Sequence, residues 1–314
     1  MIYRVKHITA YGYGAPVSTS HHELHVLLRG SPRQKIRAES LIVSPTPAVR
    51  RDRFDWFGNR ATHLAIHERH SGLTVTAESE VEVSAPVPPG SAAWIQLGLG
   101  ERPAPLVDDS WEATRDWVRT GADAEARAAV ELVLPSPHIA LSAEARAFAE
   151  PSFPAGRPLA EAAEDLMSRI HASLTYDPAA TDVSTSVDEV LRGGRGVCQD
   201  FAHVAIACLR ALGLPARYVS GYLVTAPVDG SPRLVGADAS HAWLSVRSPS
   251  FGWLDLDPTN DVVPTDRHIV VAYGRDFDDV TPMRGVLLGG GRHQLRVSVD
   301  VEPIDLSSSS SLSG

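Results

Sequence analysis

The feature that most restricts what this chain can fold into is Gly196-Val197-Cys198-Gln199-Asp200-Phe201-Ala202-His203, a glycine turn that opens an apolar helix. Phe201, Ala205, Cys208, Leu209 and Leu212 recur at i, i+4, i+7, i+8 and i+11, and Gly213 with Pro215 closes the run. This spacing predicts a buried helix with Cys198 in its first turn. A helix start presents unpaired amides and the positive end of the backbone dipole, a setting that favours a thiolate.

No staple is needed to hold such a helix in place. With 314 residues, 43% of them hydrophobic, the chain can bury one large core or two ordinary ones. The only two cysteines, Cys198 and Cys208, lie ten residues apart on the same predicted helix. At ~1.5 Å per residue that is about 15 Å, beyond the roughly 7 Å that a disulfide spans. A net charge of −9, from 38 acidic and 29 basic residues with no long run of either sign, leaves no footprint for nucleic acid or an anionic membrane. Charge interrupts the N-terminal Met1-Ile2-Tyr3-Arg4-Val5-Lys6-His7, and no later window approaches the ~18 apolar residues of a membrane span. A cytoplasmic location without a membrane partner is the expectation.

Residues 1–86 alternate in short runs such as Leu73-Thr74-Val75-Thr76-Ala77 and Val81-Glu82-Val83, with Phe57-Gly58-Asn59 as a turn. They predict a β-rich, sandwich-like domain. Pro86, Pro88, Pro89 and Gly90 mark a boundary, and 87–157 reads as a linker with short helices. From 158 to 305 a second domain is expected. Leu159, Ala162, Ala163, Leu166, Met167, Ile170 and Leu174 form one helical stripe. Ser186-Val187-Asp188-Glu189 is a capping box, with Gly193-Gly194 as the stop before the cysteine turn. Strand-like runs follow at 216–224, 241–247, 253–257 and 295–301. Gly289-Gly290-Gly291 reads as a hairpin turn, and the serine-rich 306–314 as a disordered tail.

A cysteine nucleophile needs an imidazole to share its proton and a carboxylate or amide to orient that imidazole. In a hairpin centred on Pro249, His241 falls directly across from Asp257. Both then share a sheet face with Trp243, Ser245, Trp253 and Asp255. If the cysteine helix packs over that face, thiol, imidazole and carboxylate meet. Taken singly, each residue has an ordinary explanation: a small core cysteine, a packed histidine, an aspartate in turn chemistry before Pro258.

Four segments together resemble the bacterial transglutaminase-like family: Gly196 to His203, Gly213-Leu214-Pro215-Ala216-Arg217-Tyr218-Val219-Ser220-Gly221-Tyr222, Ser240-His241-Ala242-Trp243, and Asp257-Pro258-Thr259-Asn260. Upstream, Leu174-Thr175-Tyr176-Asp177-Pro178 and Thr181-Asp182-Val183-Ser184-Thr185 are similar to it as well. The resemblance implies an α+β chain in which a papain-like transglutaminase core, a cysteine-bearing helix packed on an antiparallel sheet, follows a β-rich domain. It also implies Cys198 as nucleophile, His241 as general base and acid, and Asp257 as the orienting carboxylate. Tyr176, Thr181, Gln199, Asp200, Asp238, Ser240 and Trp243 are candidates for shaping the substrate cleft or the oxyanion hole, the Cys198 amide being the first oxyanion donor. The implied chemistry is attack on an amide of a peptide or protein substrate, a thioester, and release to water or to an amine, with no cofactor and no metal. Cross-linking relatives carry tryptophan after the cysteine, where this chain has Gln199, and use calcium, for which no D-x-[DN]-x-[DN]-G loop is present. Both departures favour hydrolysis over transfer. A non-catalytic peptide-binding module is the third reading, and an intact Cys, His and Asp set speaks against it.

Other motifs fall short of a site. His22-Glu23-Leu24-His25 misses the H-E-x-x-H spacing by one residue. A strand would put His63 and His67 on one face and His70 on the other. Asp276, Asp278 and Asp279 read as a solvated loop, and His203 lies about 200° around the helix from Phe201, at 3.6 residues per turn.

Overall fold

A single 23-residue strand, β1 (Ile2–Leu24), organises the N-terminal half. The computed structural model describes residues 1–85, 109–224 and 240–304. Strands β2 (Gln34–Ser44), β3 (Val49–Phe54), β4 (Arg60–Ile66) and β5 (His70–Val83) join β1 in the order β2-β5-β1-β4-β3. Alternation drives this assembly: in β5, Leu73, Val75, Ala77, Val81 and Val83 are buried and their neighbours are half-exposed. The first half of β1 pairs with β5 and its second half with β4, with a register break between Gly12 and Val17. Tyr13, Val17, Leu24, Leu64, Ile66, Leu73 and Val75 form a core on this one sheet, so the domain is β-rich as expected but is a single sheet and not a sandwich of two.

The second domain packs helices on a four-stranded antiparallel sheet. Helices α1 (Trp111–Thr120), α2 (Ala124–Ala129), α3 (Ala143–Ala149) and α4 (Leu159–Ser173) precede β6 (Thr175–Tyr176), α5 (Val187–Gly193), β7 (Arg195–Gly196) and α6 (Cys198–Ala211). Then come β8 (Ala216–Leu223), β9 (Ser240–Ser248), β10 (Gly252–Leu256), β11 (His268–Gly274) and the short α7 (Phe277–Val280), the sheet order being β10-β9-β8-β11. Helix α6 is the central element. Every residue from Asp200 to Arg210 is buried, so the apolar stripe widens into an all-round core helix. Each large apolar side chain it buries, Phe201, Val204, Ile206 and Leu209 among them, contributes roughly 1.5–3 kcal/mol.

Three expectations about the chain's organisation change. Residues 109–157 are not a linker, because Ile139, Ala145, Ala149 and Phe153 belong to the same core as α6. The core also stops short of 305. Strands β12 (Met283–Gly289) and β13 (His293–Pro303) return to the N-terminal sheet, where both pair antiparallel with β1. They pair with consecutive stretches of β1 and not with each other, so Gly289-Gly290-Gly291 links two collinear strands instead of turning a hairpin. The chain thus closes on its first strand, and both termini stitch the domains together. Pro86 to Gly90, Asp238 and the 306–314 tail lie outside the described residues. Among those described, no helix is long and apolar enough to cross a membrane.

Candidate active site

Gly196 and Asp200 build the start of α6. The Asp200 carboxylate accepts the Val197 amide at 2.8 Å and the Thr181 hydroxyl at 2.6 Å, which caps the helix and ties down the 177–185 loop. A Cβ on residue 196 would stand 2.6 Å from an Asp200 oxygen, so only glycine lets the carboxylate fold back there. As the first two helical residues, Cys198 and Gln199 leave their N–H groups outside the helical ladder. Cys198 is half-buried, with the Tyr176 phenol close enough for a charge on its sulfur to hold the phenol protonated, after the larger effect of burial.

The hairpin has a different register from the one expected. Gly252 pairs with Ser248 and Leu256 with Leu244, which centres the turn one residue further on and ends β10 before Asp257. Asp257 therefore lies diagonal to His241, in a loop closed by its own bridge to Val262. The shift is by an even count, so the two residues keep the same face, and His241 Nε2 meets Asp257 Oδ2 at 2.8 Å. The helix packs on the other face, against Ala242, Leu244, Val246 and Leu256. Thiol and imidazole meet instead where the first turn of α6 adjoins the start of β9, and Cys198 and His241 are hydrogen-bond partners. With Nε2 engaged by Asp257, Nδ1 is the ring nitrogen left for the sulfur.

Asp257 is fully buried, and its two oxygens have separate duties. Oδ1 accepts the backbone N–H groups of Thr259 and Asn260 at 3.1 and 3.3 Å, which is turn chemistry. Oδ2 accepts from His241, from the Asn260 amide at 2.7 Å and from His268 Nε2 at 3.1 Å. Burial alone would raise this carboxyl, but the hydrogen bonds from His241, His268 and Asn260 and the charge on His241 hold it well below the usual carboxylate range. For His241, burial opposes the charged form. The bonds and charges of Asp257 and the Cys198 side chain outweigh it and raise the imidazole to about 9. At the far end of the same helix, burial pushes the Cys208 thiol up to about 12.

His241, Asp257 and His268 bring their ligand atoms within 4.8 Å of one another, the spacing of a metal site. The protons do not suit one. The Thr265 amide donates to His268 Nδ1 at 3.2 Å, which places the ring hydrogen on Nε2, where a metal would need a lone pair.

The remaining predicted residues divide. Tyr176, 54% exposed, lies near the sulfur, Gln199 is half-buried next to Cys198 in the chain, and Ser240 is exposed at the start of β9. Thr181 and Asp200 are spent on each other. Trp243 lines a cavity behind the imidazoles and not a cleft at the thiol. It is fully buried, edge-on to His268 at 5.3 Å and tilted against His241 at 5.9 Å. His268 and the Asn260 side chain were missed, as was Gly221, which pairs with His241 and whose Cβ would press 2.4 Å from the Trp243 ring. The Asp-Pro-Thr-Asn string carried a signal for Asn260, whereas no spacing in the sequence links His268 to Asp257.

Residues 146–258 match the transglutaminase-like superfamily, and residues 3–82 the bacterial transglutaminase-like N-terminal region. An uncharacterized protein of Mycobacterium tuberculosis is 42% identical over 308 residues, covering 96% of this chain and 93% of that protein. The chain belongs to the transglutaminase-like superfamily. An uncharacterized protein of Mycobacterium leprae is 33% identical, covering 95% of this chain and 97% of its own length. A solved structure from Cytophaga hutchinsonii, described as a candidate cysteine protease, superposes with a TM-score of 0.70 at 20% identity. It covers 97% of this chain and 91% of that one, so the two chains share this fold across both domains. A protein-glutamine gamma-glutamyltransferase of Pseudomonas aeruginosa is 39% identical over 92 residues, 29% of this chain and 14% of that enzyme.

Proposed function

We propose that this transglutaminase-like protein is a cysteine-dependent amidase that cleaves peptide or protein amide bonds through a thioester, with water as the acyl acceptor. The observation that carries the reading is the Cys198–His241–Asp257 array, in which a buried carboxylate supports an imidazole with a raised pKa beside a thiol at a helix start. The Cys198 thiolate attacks the carbonyl carbon, forming the C–S bond, and the oxyanion is met by the Cys198 amide. His241 gives its Nδ1 proton to the departing nitrogen as the C–N bond breaks. Water then attacks the thioester, returns a proton to His241, and releases the acid and the thiolate.

Transfer to an amine is the second reading, and the similarity to the Pseudomonas glutamyltransferase favours it. Gln199 following the nucleophile weighs toward water. Mass spectrometry of peptide and protein libraries incubated with the wild type and with Cys198→Ala, with and without a labelled primary amine, separates the two. Hydrolytic products that need Cys198 and are insensitive to the amine are expected. Amine-bearing products would establish transfer, and identical libraries from both proteins would reject catalysis.

A further inference from the structure

We propose that His268 is a positioning residue of this site, a neutral donor that shares the Asp257 carboxylate oxygen with His241 and so sets where that oxygen lies and how strongly it holds the imidazole. The inference rests on the triad reading above. Two imidazoles converge on one oxygen atom, Oδ2 of Asp257, from β9 and from β11. Their rings stand 6.1 Å apart, with Trp243 packed against both. One carboxylate charge cannot support two adjacent imidazolium ions, so the pair needs one cation and one neutral ring.

The surroundings decide which is which. Thr265 N–H points at Nδ1 of His268, a contact only an unprotonated nitrogen can accept, so the hydrogen on Nε2 is the one His268 offers Asp257. His268 is buried, and its ring borders a small, partly open cavity shared with Arg33, Asp255 and Tyr273. Arg33 across that cavity disfavours a second cation. Asp255, which would favour one, is occupied by the Ser245 hydroxyl. His241 faces the Cys198 sulfur instead, and carries the charge. A carboxylate that already accepts from His268 and Asn260 is held in one orientation and binds His241 less tightly than a bare one would. That moderation keeps the imidazole able to give up its proton to a leaving group.

The test is side-chain ¹⁵N NMR of the histidines across pH 5–10 in the full-length wild type, His268→Gln and His268→Leu, together with the alkylation rate of Cys198 by iodoacetamide. In the wild type, the neutral His268 ring should carry its hydrogen on Nε2 and a lone pair on Nδ1. In His268→Leu the His241 titration should move up by about half a pH unit or more, and the alkaline step in the pH profile of Cys198 alkylation should move up with it. Glutamine places an N–H near the position of Nε2 and should restore both. A His268 doubly protonated at neutral pH, or neutral with its hydrogen on Nδ1, overturns the proposal, as does a leucine variant with an unmoved His241 titration or a glutamine variant no better than leucine. Should the leucine variant fail to fold, the wild-type tautomer and the glutamine variant still decide. A wild-type His241 that titrates near its ordinary value would sink the triad reading itself, a result distinguishable from any of these.

Discussion

Histidines are buried in both domains, and burial alone does not decide their chemistry. In the N-terminal sheet His7 and His22 have no carboxylate partner, and desolvation lowers each to about 4, with neighbouring histidines adding to the effect at His22. His7 is held by neutral groups, the Tyr222 hydroxyl at 2.7 Å and Thr9 at 2.9 Å. In the core His241 is comparably buried, yet Asp257 and Cys198 drive it the other way, to about 9. What sets His241 apart from His7 and His22 is therefore the pair of groups beside it, the buried Asp257 carboxylate and the Cys198 sulfur. The two cysteines of α6 differ likewise: Cys198 adjoins that imidazole, and Cys208 is buried in the apolar core.

Removing the carboxylate should abolish this difference, and it is the largest effect expected. Asp257→Asn leaves an amide of similar shape that can neither balance an imidazolium nor fix the tautomer, and activity should fall about 10³- to 10⁴-fold. The His241 titration should drop to its ordinary range or below, read by NMR. A loss under tenfold would break the comparison. The cysteines provide the next largest effect: iodoacetamide at neutral pH should modify Cys198 at least about 100-fold faster than Cys208, because only the thiolate reacts. Peptide mapping checks this, and comparable labelling of both would contradict it.

How much of this the sequence revealed follows from the range of each interaction. Helix α6, its glycine stop and the Ser186 capping box depend on neighbours within a few residues, so spacing discloses them. The pairing of His241 with Asp257 was legible because strand parity survives an error of two in register. The strand β11 was not, since Ile269-Val270-Val271-Ala272 is buried on both faces and shows no alternation. With it went His268. Strands β12 and β13 were assigned to the wrong domain because no local pattern reports that a chain end pairs with its own beginning. Trp243 looked like a cleft residue because it follows His241 by two, and period two also describes a residue stacked behind the site.

The opposite pKa shifts give opposite pH windows. His7 and His22 titrate lower in the folded protein than in the unfolded chain, so their contribution is complete above about 6.5 and lost as pH falls toward about 4. His241 titrates higher, so its contribution is complete below about 6.5 and lost as pH rises through about 9. Urea unfolding at pH 7 and pH 5 should show a loss of about 2 kcal/mol per histidine on the acid side, and His7→Gln should reduce it. A pH-independent midpoint from 5 to 7 would mean that these histidines are not held neutral.

The two sheets should also differ in how they tolerate a single methyl group. At Gly221 in β8 a Cβ would lie 2.3 Å from the Ile269 carbonyl oxygen and 2.4 Å from the Trp243 ring. Backbone on one side and a locked indole on the other cannot both retreat, so Gly221→Ala should cost about 1–3 kcal/mol. Because the indole it displaces packs on His241 and His268, activity should fall as well. Gly12 in β1 also sits in a strand, but nothing stands within 4 Å of its missing Cβ. There the alanine meets no neighbour and reduces the freedom of the unfolded chain, so Gly12→Ala should leave stability unchanged or raise it by up to about 1 kcal/mol. Thermal melts of the two variants side by side measure the contrast. If both alanines cost the same, the tight packing around the imidazoles is not what distinguishes the core sheet from the N-terminal one.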